Sequence, residues 1–159
     1  ETVSTLAKRD DVRVLFDSTK IPNEIIDSVV VAKESLEKEG GEAFACAIID
    51  AFYQVNAAIA DPQQRDDTLI AIGEKFANVT LKDMEKVVQQ TKFYGTADEG
   101  EAILTGADLP KIMNRVVDFC TSHGIVDSKP TLVYGSEETD ASVRFDASYI
   151  QKVKASPLN

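Results

Sequence analysis

The chain has one histidine, two cysteines and none of the common catalytic fingerprints. GxSxG, HExxH, the phosphate-cradling P-loop and GxGxxG are all absent, which removes the usual sequence signals for serine hydrolysis, zinc peptidase chemistry and nucleotide binding. Cys46 and Cys120 lie far apart, with no CxxC, and the lone His123 adds no metal-ligand spacing, so no metal and no cofactor is expected. No uninterrupted apolar run approaches the roughly 20 residues that cross a bilayer, and no membrane insertion is expected. A basic excess is missing too. Lys and Arg number 17 against 27 Asp and Glu, a formal charge of -10, so nucleic acid and anionic lipid surfaces are repelled on average. The first residues, ETVSTLAKRD, have no initiator Met, basic n-region or apolar h-region. The expectation is either a removed signal or a piece of a longer chain.

What is present describes a globular protein. At 159 residues the chain has room for one ordinary domain, burying roughly 70% of the surface it exposes when unfolded. Hydrophobic residues at 43% and charged residues at 28% fit that class.

Residues 1–9 read as the end of a helix, and VRVLFDS as a β-rich run closing on Asp17, Ser18 and Thr19. A turn follows, because Pro22 biases Ile21 toward extended backbone and Asn23 tolerates turn conformations. EIIDSVVVAK is then β-branched enough to be a strand. Ile25, Asp27, Val29 and Val31 share one face, and Ile26, Ser28, Val30 and Ala32 the other. Both faces are largely apolar, the pattern of a strand inside a covered sheet.

Helices dominate the rest. In EAFACAIIDAFYQVNAAIA the residues Phe44, Ile48, Phe52, Val55 and Ile59 recur at helical spacing, and this helix is expected to be the most buried of the chain. Asp61 before Pro62 is an N-cap signal for the helix of PQQRDDTLIAIGEKFA. Thr80 with Asp83 resembles a capping box for LKDMEKVVQQT. KFYGTADEGEAILTG predicts a short extended piece and a two-turn helix ending near Gly106. Asp108 is placed to cap LPKIMNRVVDFCTSHG, in which Leu109, Ile112, Met113, Val116 and Cys120 form a stripe and Gly124 supplies the stop. The tail predicts a short strand, a charged turn and a terminal amphipathic helix. With two or three strands against about six helices, the class is α/β and helix-rich, and its few strands need neighbours that the sequence does not provide.

Few residues carry chemistry. His123 sits at a helix end, where a cation favours the dipole, in preference to a catalytic reading. Cys46 and Cys120 read as buried thiols or as one disulfide between packed helices. Asp27, inside an apolar strand, is expected to need a partner, and Arg144 to pair with Asp146 or its neighbours. Asp17, Ser18 and Thr19 end a strand, where open α/β sheets bind ligands, although a turn or cap explains the same residues. Tyr94 offers a ring and a hydroxyl to a pocket, or simply packs.

The segments VRVLFDSTKIPNEIIDSVVVAKESL, the helix pair around IADP, VVDFCTSHGIV and VRFDASYIQKV resemble, in order, the substrate-binding proteins of ABC importers of the nitrate, sulfonate and taurine type, a family that includes pyrimidine-precursor binders. The resemblance implies the C-terminal portion of a type II periplasmic-binding-protein fold. Residues 1–17 would be the end of the second lobe, 18–24 the hinge crossing and 25–159 the C-terminal part of the first lobe. It implies a small-molecule solute trapped by lobe closure, no catalysis, an ABC permease as partner and a periplasmic or extracytoplasmic location. Asp17, Ser18, Thr19 and Tyr94 are the ligand-binding residues it suggests. The GSEETDAS turn departs from the family's glycine-rich turn. A missing N-terminal half, a partner chain or a homodimer is expected to cover the open strands. A sensor or interaction module of the same fold is the alternative, and a pyrimidine-synthesising enzyme a further one.

Overall fold

The computed structural model describes residues 9–75, 79–137 and 140–156, so the helix end expected over 1–9 falls outside the described residues. Among these, seven helices and two short strands follow a single 3-10 turn, a helix-rich arrangement with a small parallel sheet that agrees with the α/β class. The chain divides into two compact units, 1–28 with 110–129, and 29–109 with 130–159.

The first unit holds the 3-10 turn Ser18–Lys20 and most of a long helix, α6 (Leu109–Ser122). On α6, Ile112 and Val117 are buried, while Met113, Val116 and Cys120 are half-buried, so the expected stripe is present with Val117 added to it. The helix stops where the sequence places its stop. Gly124 takes φ +64°, Ile125 donates its amide to the Cys120 carbonyl (2.9 Å) and Gly124 to that of Thr121 (3.3 Å). This is the six-to-one, five-to-two pairing that satisfies terminal carbonyls through a left-handed residue.

The second unit begins with α1 (Lys33–Leu36) and α2 (Gly41–Ala60), continues through α3 (Arg65–Lys75), α4 (Leu81–Gln90) and α5 (Ala97–Thr105), and closes with β1 (Leu132–Tyr134), β2 (Val143–Phe145) and α7 (Ser148–Ala155). Helix α2 packs on α1, α3 and α7, α3 on α4, and α5 on α7. Its buried set is Ala45, Leu69, Met84, Leu109, Ala147, Ile150 and Val153, with Leu69 wholly enclosed at 0% exposure. Two glycines permit this packing. A Cβ on Gly73 would lie 2.4 Å from the Val79 carbonyl oxygen, and one on Gly100 would lie 2.3 Å from the Tyr53 hydroxyl.

Caps fall as the side chains dictate. The Asp61 carboxylate accepts the Gln63 amide (2.9 Å) and the Gln64 side-chain amide (2.7 Å) just before α3. Thr80 accepts the Asp83 amide (3.3 Å) and its hydroxyl donates to the Asp83 carboxylate (2.8 Å). Thr96 and Glu99 form a full capping box at α5, written in the sequence as TADE. Gly106 follows α5 at the predicted position.

Strands β1 and β2 pair in parallel, Leu132 opposite Val143 and Tyr134 opposite Phe145. Tyr134 and Phe145 stack with ring centroids 5.2 Å apart. Their connection, 135–142, is shorter than the dozen or more residues of an ordinary parallel crossover. Arg144 holds it, donating from its guanidinium to the carbonyls of Gly135 and Glu137. Asp146 accepts the Ser148 amide (2.8 Å) beside α7.

Three expectations are corrected. Residues 12–16 and 25–32 form no strand, because the described chain offers them no ladder partner and a lone strand does not hold its shape in water. Asp27 is therefore exposed and needs no partner. Helix α2 is not the most buried: Ala45 and Asp50 are enclosed, while Phe44, Ile48, Phe52 and Val55 face outward. Being 20 residues long, α2 also meets the length and composition of a bilayer-spanning helix, contrary to the reading of the sequence, although it carries Glu42 and a central Asp50. A carboxylate at a helix centre opposes insertion by about 2.5 to 3.5 kcal/mol.

Candidate functional site

The polar elbow of residues 17–24 is built almost entirely from its own hydrogen bonds. Asp17 is extended (φ -146°, ψ 174°), and its carboxylate accepts both the Thr19 amide (3.0 Å) and the Thr19 hydroxyl. Lys20 then donates its amide to the Asp17 carbonyl (3.1 Å), Ile21 to Ser18 (3.2 Å) and Glu24 to Ile21 (3.2 Å). Pro22 and Asn23 turn the chain, Asn23 at φ +64°, a left-handed conformation that Asn tolerates better than most residues. One ion pair anchors the far end: Arg115 of α6 donates to the Glu24 carboxylate at 2.6 Å.

The electrostatics follow from this geometry. The Thr19 hydroxyl and then the Thr19 amide hold the Asp17 carboxyl below its ordinary range, with Lys20 adding a little. Asp17 is therefore an ionised turn-former. Ser18 and Thr19 are exposed beside it.

Tyr94 belongs to the other unit, half-buried in the link between α4 and α5, with the Lys92 ammonium 5.0 Å from its ring centroid. Its neighbours Phe93 and Gly95 help line an open groove of about 360 Å³ with Asn56, Arg65 and Thr96, whereas Tyr94 itself does not. A second open groove of about 460 Å³ lies between α2 and α7, bordered by Lys38, Glu42, Cys46 and Lys152. Thus Asp17, Ser18 and Thr19 are brought together by the elbow, and Tyr94 stands in a separate compact unit.

The remaining candidates have structural posts. His123 stacks on Phe119 (4.0 Å), and its Nδ1 lies 2.9 Å from the Phe119 carbonyl and 3.0 Å from the Ser122 hydroxyl, which ties off the end of α6. Cys46 and Cys120 are free and half-buried. Among the described residues, no group of three or more His, Cys, Asp or Glu side chains is arranged to hold a metal ion. The Arg115–Glu24 pair is the feature the sequence did not single out, because a separation of 91 residues leaves no local signal.

No family model, curated protein or solved structure matches the chain.

Proposed function

We propose that the chain is the C-terminal part of a solute-binding component of an ABC importer, built on a type II periplasmic-binding fold and acting by lobe closure. The solute is of the nitrate, sulfonate, taurine or pyrimidine-precursor class, and an ABC permease receives it outside the cytoplasm. The elbow carries this reading. It is polar, largely exposed and held mostly by its own hydrogen bonds, with the Arg115–Glu24 ion pair at its far end. A hinge requires a few residues that absorb a change of backbone dihedrals while the bodies on either side stay intact. In this reading residues 18–24 supply that segment. Ser18 presents its hydroxyl to the solute, and Asp17 keeps the turn in shape through Thr19.

Closure is a population shift: a solute that touches both lobes only in the closed form stabilises that form. The test is calorimetry of the gene product that carries these residues, titrated with nitrate, taurine, alkylsulfonates and a formyl-aminomethylpyrimidine. Saturable binding of one of them is expected, and failure of all four classes refutes the reading. This chain by itself, with one side of the clamp, is expected to bind none.

A further inference from the structure

We propose that the groove between α2 and the link from α4 to α5 binds a small monocarboxylate with an apolar body, the carboxylate being taken by Arg65. The groove encloses about 360 Å³. Ala57, Ile59 and Ala60 contribute from α2, and Phe93 and Gly95 from the link. Every lining residue belongs to one compact unit, so the site does not involve the elbow and does not rest on the clamp reading.

Arg65 supplies the charge. It opens α3, is half-buried, and spends an Nη1 donor on the Ile59 carbonyl (2.9 Å). A guanidinium carries five N–H donors in a planar fork, and among the described residues those of Arg65 meet no carboxylate. Glu99, the one acid that lines the groove, is engaged: its carboxylate accepts the Thr96 amide and hydroxyl, both at 3.2 Å. Elsewhere the cations close on acids, Arg115 on Glu24, Lys152 on Glu42 and Lys154 on Glu101. In a chain with 27 acidic residues against 17 basic ones, an arginine half-withdrawn from water and kept clear of all of them is matched to an anion from outside.

Shape narrows that anion. A planar carboxylate accepts two parallel bonds from the guanidinium fork, a match that an alcohol or an ammonium cannot make. The apolar body lies against Ile59 and Phe93, the usual division of a ligand site into apolar walls and a few placed donors. Gly95 sets the width. A Cβ there would lie 3.4 Å from the Asn56 Cβ and 3.5 Å from its Oδ1, so a side chain would narrow the groove in ordinary contact and without a clash. Asn56 is itself held, donating its side-chain amide to the Phe52 carbonyl (2.8 Å).

The test titrates the full gene product that carries these residues with hexanoate, by calorimetry and by amide NMR, with hexylamine, hexanol and hexanesulfonate as probes of equal chain length. Hexanoate is expected to bind saturably and to move the amides of Arg65, Phe93 and Gly95. Arg65→Gln weakens it roughly 10- to 100-fold, the range for a lost hydrogen bond to a charged group, and Gly95→Ala several-fold, each with an unchanged helical circular dichroism signal. Should Arg65→Gln fail to fold, Arg65→Lys keeps the charge, loses the fork and is expected to bind hexanoate more weakly than the parent. The amine and the alcohol leave these amides in place, and the sulfonate, whose three oxygens do not share a plane, moves them less. Equal shifts from any of the three overturn the carboxylate assignment. Full affinity in the Arg65 variants, shifts confined to other residues, or no saturable shift overturns the site.

Discussion

Truncating Phe44 and Leu69 to alanine in this chain separates the open face of α2 from the true core. Leu69 is 0% exposed and Phe44 is 67% exposed. Removing an enclosed Leu side chain costs its transfer energy plus a cavity, about 2 to 5 kcal/mol. Fully burying a Phe is worth about 1.5 to 3 kcal/mol, and Phe44 has lost only a third of its surface, so its truncation costs about 0.5 to 1 kcal/mol. Urea unfolding followed by circular dichroism reads both. With a slope of about 2 kcal/mol per molar urea, Leu69→Ala lowers the midpoint by roughly 1 to 2.5 M and Phe44→Ala by less than about 0.5 M. Should Leu69→Ala fail to fold, Ile150→Val, at a buried site, supplies the core value at about 0.5 to 1.5 kcal/mol. A Phe44→Ala cost equal to that of Leu69→Ala refutes the reasoning, because the stripe would then be covered within the chain itself.

Other consequences are independent of that one. Gly73→Ala drives a Cβ against the Val79 carbonyl and is expected to cost about 1 to 3 kcal/mol by thermal unfolding, whereas a neutral effect would show that the approach of α3 to Val79 is looser. Thr96→Ala removes the capping box of α5 and lowers stability by about 1 kcal/mol, measured by the same unfolding curves. Arg115→Ala frees Glu24, so amides of the elbow exchange faster while global stability changes by less than about 1 kcal/mol; unchanged exchange would mean that the tether does not hold the elbow. Glu101 is held below its ordinary carboxyl range by the Gln151 side-chain amide first and Lys154 second. The stability it supplies is present above its unfolded value and lost as pH falls through the depressed folded one. A Glu101→Gln variant therefore has a lower melting temperature than the parent at pH 7, and the gap narrows as the pH falls below the ordinary glutamate range.

Local chemistry was well written in the sequence, and long-range covering was not. Thr80, Asp61, Gly106 and Gly124 each mark a helix boundary within a few residues, and that is where the boundaries fall. The stripe of α6 follows from spacing alone. Residues 12–16 and 25–32 carry strand propensity but form no strand among the described residues, because a ladder requires a second strand, which propensity does not supply. The same holds for α2: spacing located its apolar face but could not say that nothing among the described residues covers it. The parallel pairing of β1 with β2 escaped notice because an 8-residue link between parallel strands is an unusual solution, stabilised here by Arg144 reaching back to two loop carbonyls. At the elbow, Asp17 with Thr19 was legible as a turn, and Asn23 as a left-handed residue. The anchor from Arg115 was not, since it depends on where α6 comes to lie.

The clamp itself is tested most directly by small-angle X-ray scattering of the full gene product with and without the solute that calorimetry identifies. Closure about residues 18–24 predicts a smaller radius of gyration at saturation, and a return to the open value when the solute is dialysed away. A radius unchanged by saturating solute contradicts the account.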